Sequence, residues 1–568
     1  MCVSLLLIAA LAQSEPAVPA GSGTFARAAV AADHPAAAAA GAEALRAGGN
    51  AVDAAAATSL ALSVVRPYSC GLGGGGFLLF YDADGGPDEG GVCRALDYRE
   101  VAPAAATRDM FLDDPEGSRR GGKAVAVPGT VAGLHFAQSE WGELAWADVC
   151  APAVRLAREG VPLDEHDRAQ RADFIKGFEA NPALKTRFAA FWTDYLFAGV
   201  LPGTGEPVPS PQLALLERIA AEGPSAFYAG QGAASLVAAV QAAGGGLTEA
   251  DLAAYKPRLV EPLAGTLDGV TLHVMPPPSS GGIAMLETLN LLTARERIAG
   301  RVEPDSAAGR HRLVEALKHS FADRAAFLGD PYHAVRQGTP LPTARLASPE
   351  YAAALAAKID PTRTFPPAHY GRIAPTPDAG TSHLSVIDAA GNAVACTETI
   401  NLIFGSLVAT ADGVVLNNEM DDFAAIPGRP NAFGLIQSEA NAVGPGRVPL
   451  SSMSPTIGVR DGQAVLAAGA SGGPRIITAT LQTVLNRVRG GMSPAAAITA
   501  PRMHHQWAPN WLEVEPEAYE QVRRELEPLG HEVRERAALG AAQMAVRNAD
   551  GTLSAAADPR KGGGADGF

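Results

Sequence analysis

Charge is scarce in this chain: Asp, Glu, Lys and Arg make up 18% of the residues, and apolar types 47%. That balance excludes an intrinsically disordered chain, which stays unfolded by having much charge and few apolar groups. Basic residues are the scarcer sign, 45 against 60 acidic ones, for a formal charge of −15, and no run of five basic residues occurs. The deficit argues against a nucleic-acid partner. It does not argue against an anionic substrate, for which one or two well-placed arginines suffice. Aromatics are only 6%, against 62 glycines and abundant alanine, so close backbone packing should build the cores. The five cysteines (Cys2, Cys70, Cys93, Cys150, Cys396) lie far apart with no CxxC spacing, which argues against a zinc site or a redox motif. No charge-free apolar stretch reaches the ~20 residues that a membrane-spanning helix needs. A short apolar run, Val3 to Leu11, precedes small residues near the N-terminus. It has the form of a secretory signal without the usual Lys or Arg. The expectation is a signal over residues 1–20 and a periplasmic or secreted protein. The alternative is a cytoplasmic protein with a mis-set start.

The length of 568 residues allows several domains or one large layered unit. Residues 29–65 carry two Ala/Leu-rich helical patterns separated by Gly-Gly-Asn, a stop followed by a cap. GFLLFYDAD and CRALDYRE read as strands. Residues 130–260 read as mostly helical, and GVTLHV as a strand ending in the turn PPPSSGG. Residues 358–380 are Pro-rich and polar, the mark of an exposed loop. TSHLSVIDAAGNAVACTETI then reads as a β-hairpin, followed by the strand-like GVVLNNEM and SPTIGVRDGQAVLAAGA and the helix PRIITATLQTVLNRVRGG. The expected fold class is α+β, helix-rich first and sheet-rich later.

Two patterns offer a nucleophile. Gly469-Ala470-Ser471-Gly472-Gly473 fits G-x-S-x-G between a strand and a helix, the setting of a nucleophile elbow. Glu515 and His531 are the available acid and base, but no HGGG-type oxyanion segment lies upstream. A glycine turn capping a helix is the simpler reading. The second pattern needs no triad, because a threonine freed at a chain N-terminus carries both nucleophile and base. Its hydroxyl attacks, and its own α-amine, titrating at about 8, takes the proton. Thr381, opening a strand after a loop ending in Gly380, has that form.

TSHLSVIDAAGNAVACTETIN and VVLNNEMDDF, with PLSSMSPTI, GASGGPRIIT, APRMHHQW and the near-terminal DPR, resemble γ-glutamyltransferases. GGNAVDAAAA, GLGGGGFLLFYD, LDYREVAPAAATRDMF, VPGTVAG and PPPSSGG match upstream, all in the same order. The resemblance spans about residues 25 to 568. It implies the four-layer αββα sandwich of N-terminal nucleophile hydrolases and self-cleavage between Gly380 and Thr381. The products would be a large chain (21–380) and a small chain (381–568), associated as an interleaved heterodimer.

Carried over by position, Thr381 is the nucleophile and Thr399 orients it. Gly472 and Gly473 supply oxyanion N–H groups at a helix start, where the dipole helps. Arg99, with Ser451 and Ser452, would bind the substrate's α-carboxylate, and Asn401, Glu419 and Asp422 its α-ammonium. The implied substrates are glutathione and other γ-glutamyl compounds, with water or amino-acid or peptide acceptors. No metal or organic cofactor is implied. Gly73 to Gly76 lacks the ending of a phosphate loop and reads as close backbone approach. His504 and His505 lack metal-ligand spacing, and His383 reads as packed beside the nucleophile rather than catalytic. Phe433 stands where some bacterial members carry a tyrosine that closes the pocket by a hydrogen bond, which bears on lid closure and on hydrolysis against transfer. A cephalosporin acylase, a poly-γ-glutamate-processing enzyme and an inactive γ-glutamyl-binding scaffold are the competing readings. The retained Arg99 and Asp422 oppose the first, and the intact Thr381, Thr399, Gly472 and Gly473 the last.

Overall fold

The hairpin after Thr381 forms as its sequence demands. Strands Ser382–Ile387 and Ala393–Thr399 pair antiparallel with Ser382 opposite Glu398, a register that brings Thr381 level with Thr399. Asp388 closes the turn, its Oδ1 accepting the N–H groups of Gly391 and Asn392 at 3.0 Å each. Gly391 sits there at φ +97°, a region open to glycine.

A computed structural model describes residues 21–85, 90–371, 381–426, 431, 432, 435 and 438–568. The hairpin lies in the middle of a seven-stranded antiparallel sheet, flanked by Ala29–Ala32 and Gly75–Asp82. The sheet continues through Val92–Tyr98 to Arg258–Val260 on one side and ends at Gly564–Gly567 on the other. A second seven-stranded antiparallel sheet runs Ser22–Phe25, Leu553–Ala557, Ala541–Arg547, Gln463–Ser471, Thr456–Arg460, Val270–Val274, Leu263–Leu267. The two sheets face each other. Helices Pro35–Arg46 and Ala51–Val65 cover the first sheet, and Gly281–Ala299 and Arg475–Val488 cover the second. This is the αββα sandwich that the resemblance implied.

Strand alternation sorts the residues. Leu384, Val386, Val394 and Cys396 face the helices. Ala395 faces the other sheet, where it meets Ala29, Ala31, Ala467, Ala468, Ala470 and Ala545 in one core. Small side chains let the sheets approach closely, as the composition required. Gly73 to Gly76 serve the same end. A Cβ on Gly74 would lie 2.0 Å from the carbonyl oxygen of Thr399, and one on Gly76 2.6 Å from that of Thr397.

Two expectations need correction. GVVLNNEM is not a strand: it makes isolated bridges only, at Ala409–Val415 and Gly73–Leu416, before a 3-10 turn over Glu419–Asp422. The side chain of Asn417 takes over the ladder's bonds, giving to the carbonyls of Gly73 and Ala126 and accepting from the N–H groups of Ala126 and Glu419. The helix-first, sheet-later division also fails for the sandwich, since each large sheet takes strands from both sides of residue 381. The helices between residues 130 and 255 instead build a separate core, including Leu134, Phe178, Phe191, Leu216 and Phe227, which also takes in Ile400, Phe404 and Val414 to Leu416 from the far side of residue 381. Gly380 and Phe433 lie outside the described residues.

Candidate active site

Thr381 is 4% exposed at the mouth of the central hairpin. Its hydroxyl donates to Thr399 Oγ1 at 3.3 Å, and that same oxygen accepts the N–H of Asn401 at 2.7 Å. Asn401 is held at φ +73°, where a residue with a side chain is strained, and its Nδ2 donates to the carbonyl of Asn418 at 3.0 Å.

A small, partly open cavity of about 20 Å³ lies beside the hydroxyl, lined by Arg99, Thr381, Thr399, Asn401, Glu419, Asp422, Ser451, Ser452 and Gly473 together with two apolar side chains. Nine of the ten residues read from the sequence meet there. The tenth, Gly472, lines a larger open cavity of about 920 Å³ on the other side of Thr381, which the threonine also lines. Gly472 and Gly473 join strand Gln463–Ser471 to helix Arg475–Val488 at φ +125° and +57°. Both angles favour glycine. Ser471 donates to the carbonyl of Ala541, while Glu515 pairs with Arg560 and His531 bonds to His311. The serine triad therefore does not assemble.

The turn over residues 276–280, leading into helix Gly281–Ala299, explains why PPPSSGG and PLSSM occur together. Ser451 donates its N–H to the carbonyl of Pro278 at 2.8 Å, and its own carbonyl accepts from Ser280. Ser279 Oγ donates to the carbonyl of Met453 at 2.6 Å. A Cβ on Gly281 would lie 2.0 Å from Ser454 Oγ, so the motif's glycine is what lets the two segments meet.

The electrostatics of the small cavity centre on Arg99, which is fully buried. It bonds Glu419, Glu100 at 3.3 Å and Asp422 at 2.5 Å, and its Nε donates to the carbonyl of Pro449. Three carboxylates thus converge on one cation. Burial, partly offset by Arg99, pushes Glu100 up to about 7 and Glu419 well above the usual carboxylate range. Asp422 is raised for the same reason. The raised Glu419 carboxyl in turn hydrogen-bonds Glu100 and Asp422, which favours their charged forms.

Several residues escaped the sequence reading. Lys561 is buried beneath Thr381, where its ammonium donates to the Thr381 carbonyl, pairs with Asp33 and donates to Ser69 Oγ at 2.9 Å. Ser69 Oγ itself donates to the Thr381 carbonyl at 3.2 Å. The near-terminal DPR motif pointed at Lys561 by one residue. Arg324, on helix Ala307–Phe327, lies behind Ser452; nothing in the sequence singled it out, because the buried residues of that helix also include Arg310, Glu315 and Lys318.

Among the described residues, one group of three could hold a metal ion, His311, Glu315 and His531. His311 Nδ1 and His531 Nε2 already share a hydrogen bond of 2.8 Å, and the Lys318 ammonium is 3.4 Å from Glu315. None of the three lines either cavity at Thr381. His504 bonds Thr478 and Gln506, and His505 accepts the N–H of Trp507. His383 is buried between Thr397 and Ser385. All three are packed side chains.

Residues 37–568 match the family described as gamma-glutamyltranspeptidase. The chain belongs to that family. It is 41% identical to the glutathione hydrolase proenzyme of Escherichia coli strain K12, over 92% of this chain and 88% of that protein. It is 40% identical to glutathione hydrolase 2 of Arabidopsis thaliana, over 100% of this chain and 98% of that one. Among solved structures it is similar to a cephalosporin acylase from Bacillus halodurans, with TM-score 0.83 and 26% identity over 99% of both chains. No helix among the described residues is long and apolar enough to cross a membrane.

Proposed function

We propose that this member of the family cuts its own chain before Thr381 and then transfers γ-glutamyl groups from glutathione or related amides to water, amino acids or peptides. The observation that carries the reading is the position of Thr381 between two unlike cavities. One is small and lined by a guanidinium, carboxyl groups and serine hydroxyls, a set suited to both ends of a glutamyl zwitterion. The other is open and large enough for the amine side of the amide and for an acceptor.

In the cleaved enzyme the α-amine of Thr381 takes the hydroxyl proton as Oγ attacks the γ-carbonyl. The Gly472 and Gly473 N–H groups, at a helix start, stabilise the oxyanion. Collapse releases the amine into the open cavity and leaves a γ-glutamyl ester on Thr381. Water or an acceptor amine arriving by the same route then cleaves the ester. Arg99 with Ser451 and Ser452 serves the α-carboxylate, and Asn401, Glu419 and Asp422 serve the α-ammonium. The two chains stay together because both large sheets draw strands from each side of the cut. Export to the periplasm or outside the cell, resting on the apolar run Val3 to Leu11, is part of this proposal.

The likeness to a cephalosporin acylase favours a second reading, hydrolysis of another amide on the same frame. The buried cluster of Arg99, Glu419 and Asp422 supports the γ-glutamyl reading over it. Intact-mass analysis of wild type beside Thr381→Ala, followed by a γ-glutamyl anilide assay, tests both. Two fragments, the smaller starting at Thr381, with anilide release support the proposal. Two fragments without release favour the acylase reading. An uncut but folded wild type overturns the mechanism and leaves a binding scaffold.

A further inference from the structure

The cation assigned to the substrate's α-carboxylate is already engaged. Arg99 bonds Glu100, Glu419 and Asp422, and its Nε bonds the Pro449 carbonyl, so each of its nitrogens is already committed within the chain. A carboxylate entering the cavity meets a guanidinium whose donors are already taken. The nearest further cation is Arg324, 2% exposed on helix Ala307–Phe327.

Two hydroxyls hold Arg324. Its Nε donates to Ser280 Oγ at 2.8 Å and its Nη2 to Ser452 Oγ at 3.4 Å. Ser280 is itself fixed, since its hydroxyl donates to the Ser451 carbonyl at 2.6 Å. Arg324 Nη1 is buried with no hydrogen-bond partner, and the charge of Asp422 is felt there. A serine hydroxyl has one hydrogen to give. Because Ser452 Oγ accepts from Arg324 behind it, its own hydrogen is directed elsewhere, and Ser452 lines the cavity. Ser451 is arranged alike, its Oγ accepting the N–H of Met453 at 3.1 Å.

We propose that Arg324 is a positioning residue for the α-carboxylate: it turns the Ser452 hydroxyl towards the cavity and lends the positive charge that Arg99 has committed to three acidic neighbours. The inference rests on the γ-glutamyl reading of the site and adds a residue to it. It explains why a guanidinium is buried against hydroxyls instead of a carboxylate: the carboxylate arrives with the substrate.

The test compares two donors, γ-glutamyl anilide and 4-aminobutyryl anilide, the second keeping the amine but lacking the α-carboxylate. Wild type should favour the first in kcat/KM. In Arg324→Gln that preference should shrink about tenfold or more, the worth of one hydrogen bond to a charged group, through a higher KM for γ-glutamyl anilide. Appearance of the two fragments reports that the variant folds. A purely structural role would lower both donors alike and leave the preference intact, and that result overturns the inference. If Arg324→Gln does not fold, Arg324→Lys is read on the same ratio, because an ammonium lacks the rigid two-nitrogen fork that holds Ser280 and Ser452 in place. An unchanged ratio in that variant overturns the inference equally. Wild type releasing neither anilide would bring down the γ-glutamyl reading and this inference with it; a wild type that discriminates, beside a variant that discriminates as well, removes the inference alone.

Discussion

The ammonium of Lys561 donates to the carbonyl oxygen of Thr381, and the same ammonium is paired with Asp33. One buried cation thus ties the proposed nucleophile to the strand end at Ala32 and to the chain's last segment. Removing one partner of a buried pair leaves the other charged and unmatched. Lys561→Met should therefore destabilise the protein by about 3–5 kcal/mol and lower kcat through a loosened Thr381. Adding Asp33→Asn should return part of the stability but not the rate, since the Thr381 carbonyl still lacks its ammonium. Thermal unfolding and anilide turnover on the two variants separate the effects. Equal stability of wild type and Lys561→Met would show that the pair matters little.

Thr399 has two duties, accepting from the Thr381 hydroxyl and from the N–H of Asn401. Thr399→Val keeps the shape and removes both. A buried N–H left unsatisfied costs about 1–3 kcal/mol, and the Thr381 hydroxyl loses its guide. Self-cleavage, followed by the fraction of cut chain over time, should slow by about tenfold or more, while Thr399→Ser stays near wild type. Equal cutting rates in all three would remove Thr399 from the mechanism.

How far the sequence carried this description depends on the range of the interaction. The Thr381–Thr399 contact was implied by the resemblance, and the register of a short hairpin made it physically sensible. The glycines of Gly73 to Gly76 were legible as close approach because no phosphate-loop ending follows them. GVVLNNEM misled, because the apolar run looks like a strand while the bonding is done by the Asn417 side chain. The binding of Arg99 to Glu419 and Asp422 was not legible at all. Hydropathy and spacing do not report that charges over 300 positions apart share one buried point. Arg324 and Lys561 escaped for the same reason, since an isolated basic residue reads as solvated until the fold buries it.

His383 offers a pH test. Burial lowers it from its ordinary value of 6.5 to about 3. Between those values the unfolded chain takes a proton that the folded chain refuses, so stability is lost as pH falls below 6.5, at up to about 1.4 kcal/mol per unit. Above pH 6.5 the residue contributes no pH dependence. His383→Gln lacks the titration, so the stability gap between wild type and variant should be constant above 6.5 and narrow as pH is lowered to 5. Denaturant unfolding at a series of pH values measures the gap, and buried carboxylates cancel in the difference. A gap that does not change would mean that His383 takes up its proton in the folded state.

Asp422 bonds Arg99 at 2.5 Å and is proposed to bind the substrate's α-ammonium. Asp422→Asn keeps the size and removes the charge. A hydrogen bond to a charged group is worth about 1.5–3 kcal/mol, so kcat/KM for γ-glutamyl anilide should fall at least tenfold, carried mainly by KM. Self-cleavage should proceed, because it needs Thr381 and its scissile bond but no free amino acid. The loss should also be specific to donors with an amine. Glutaryl anilide, which lacks the α-amine, should react poorly with wild type and no worse with the variant, since the carboxylate it would have missed is already gone. A variant that loses both donors in proportion would mean that Asp422 supports the cavity through Arg99 alone.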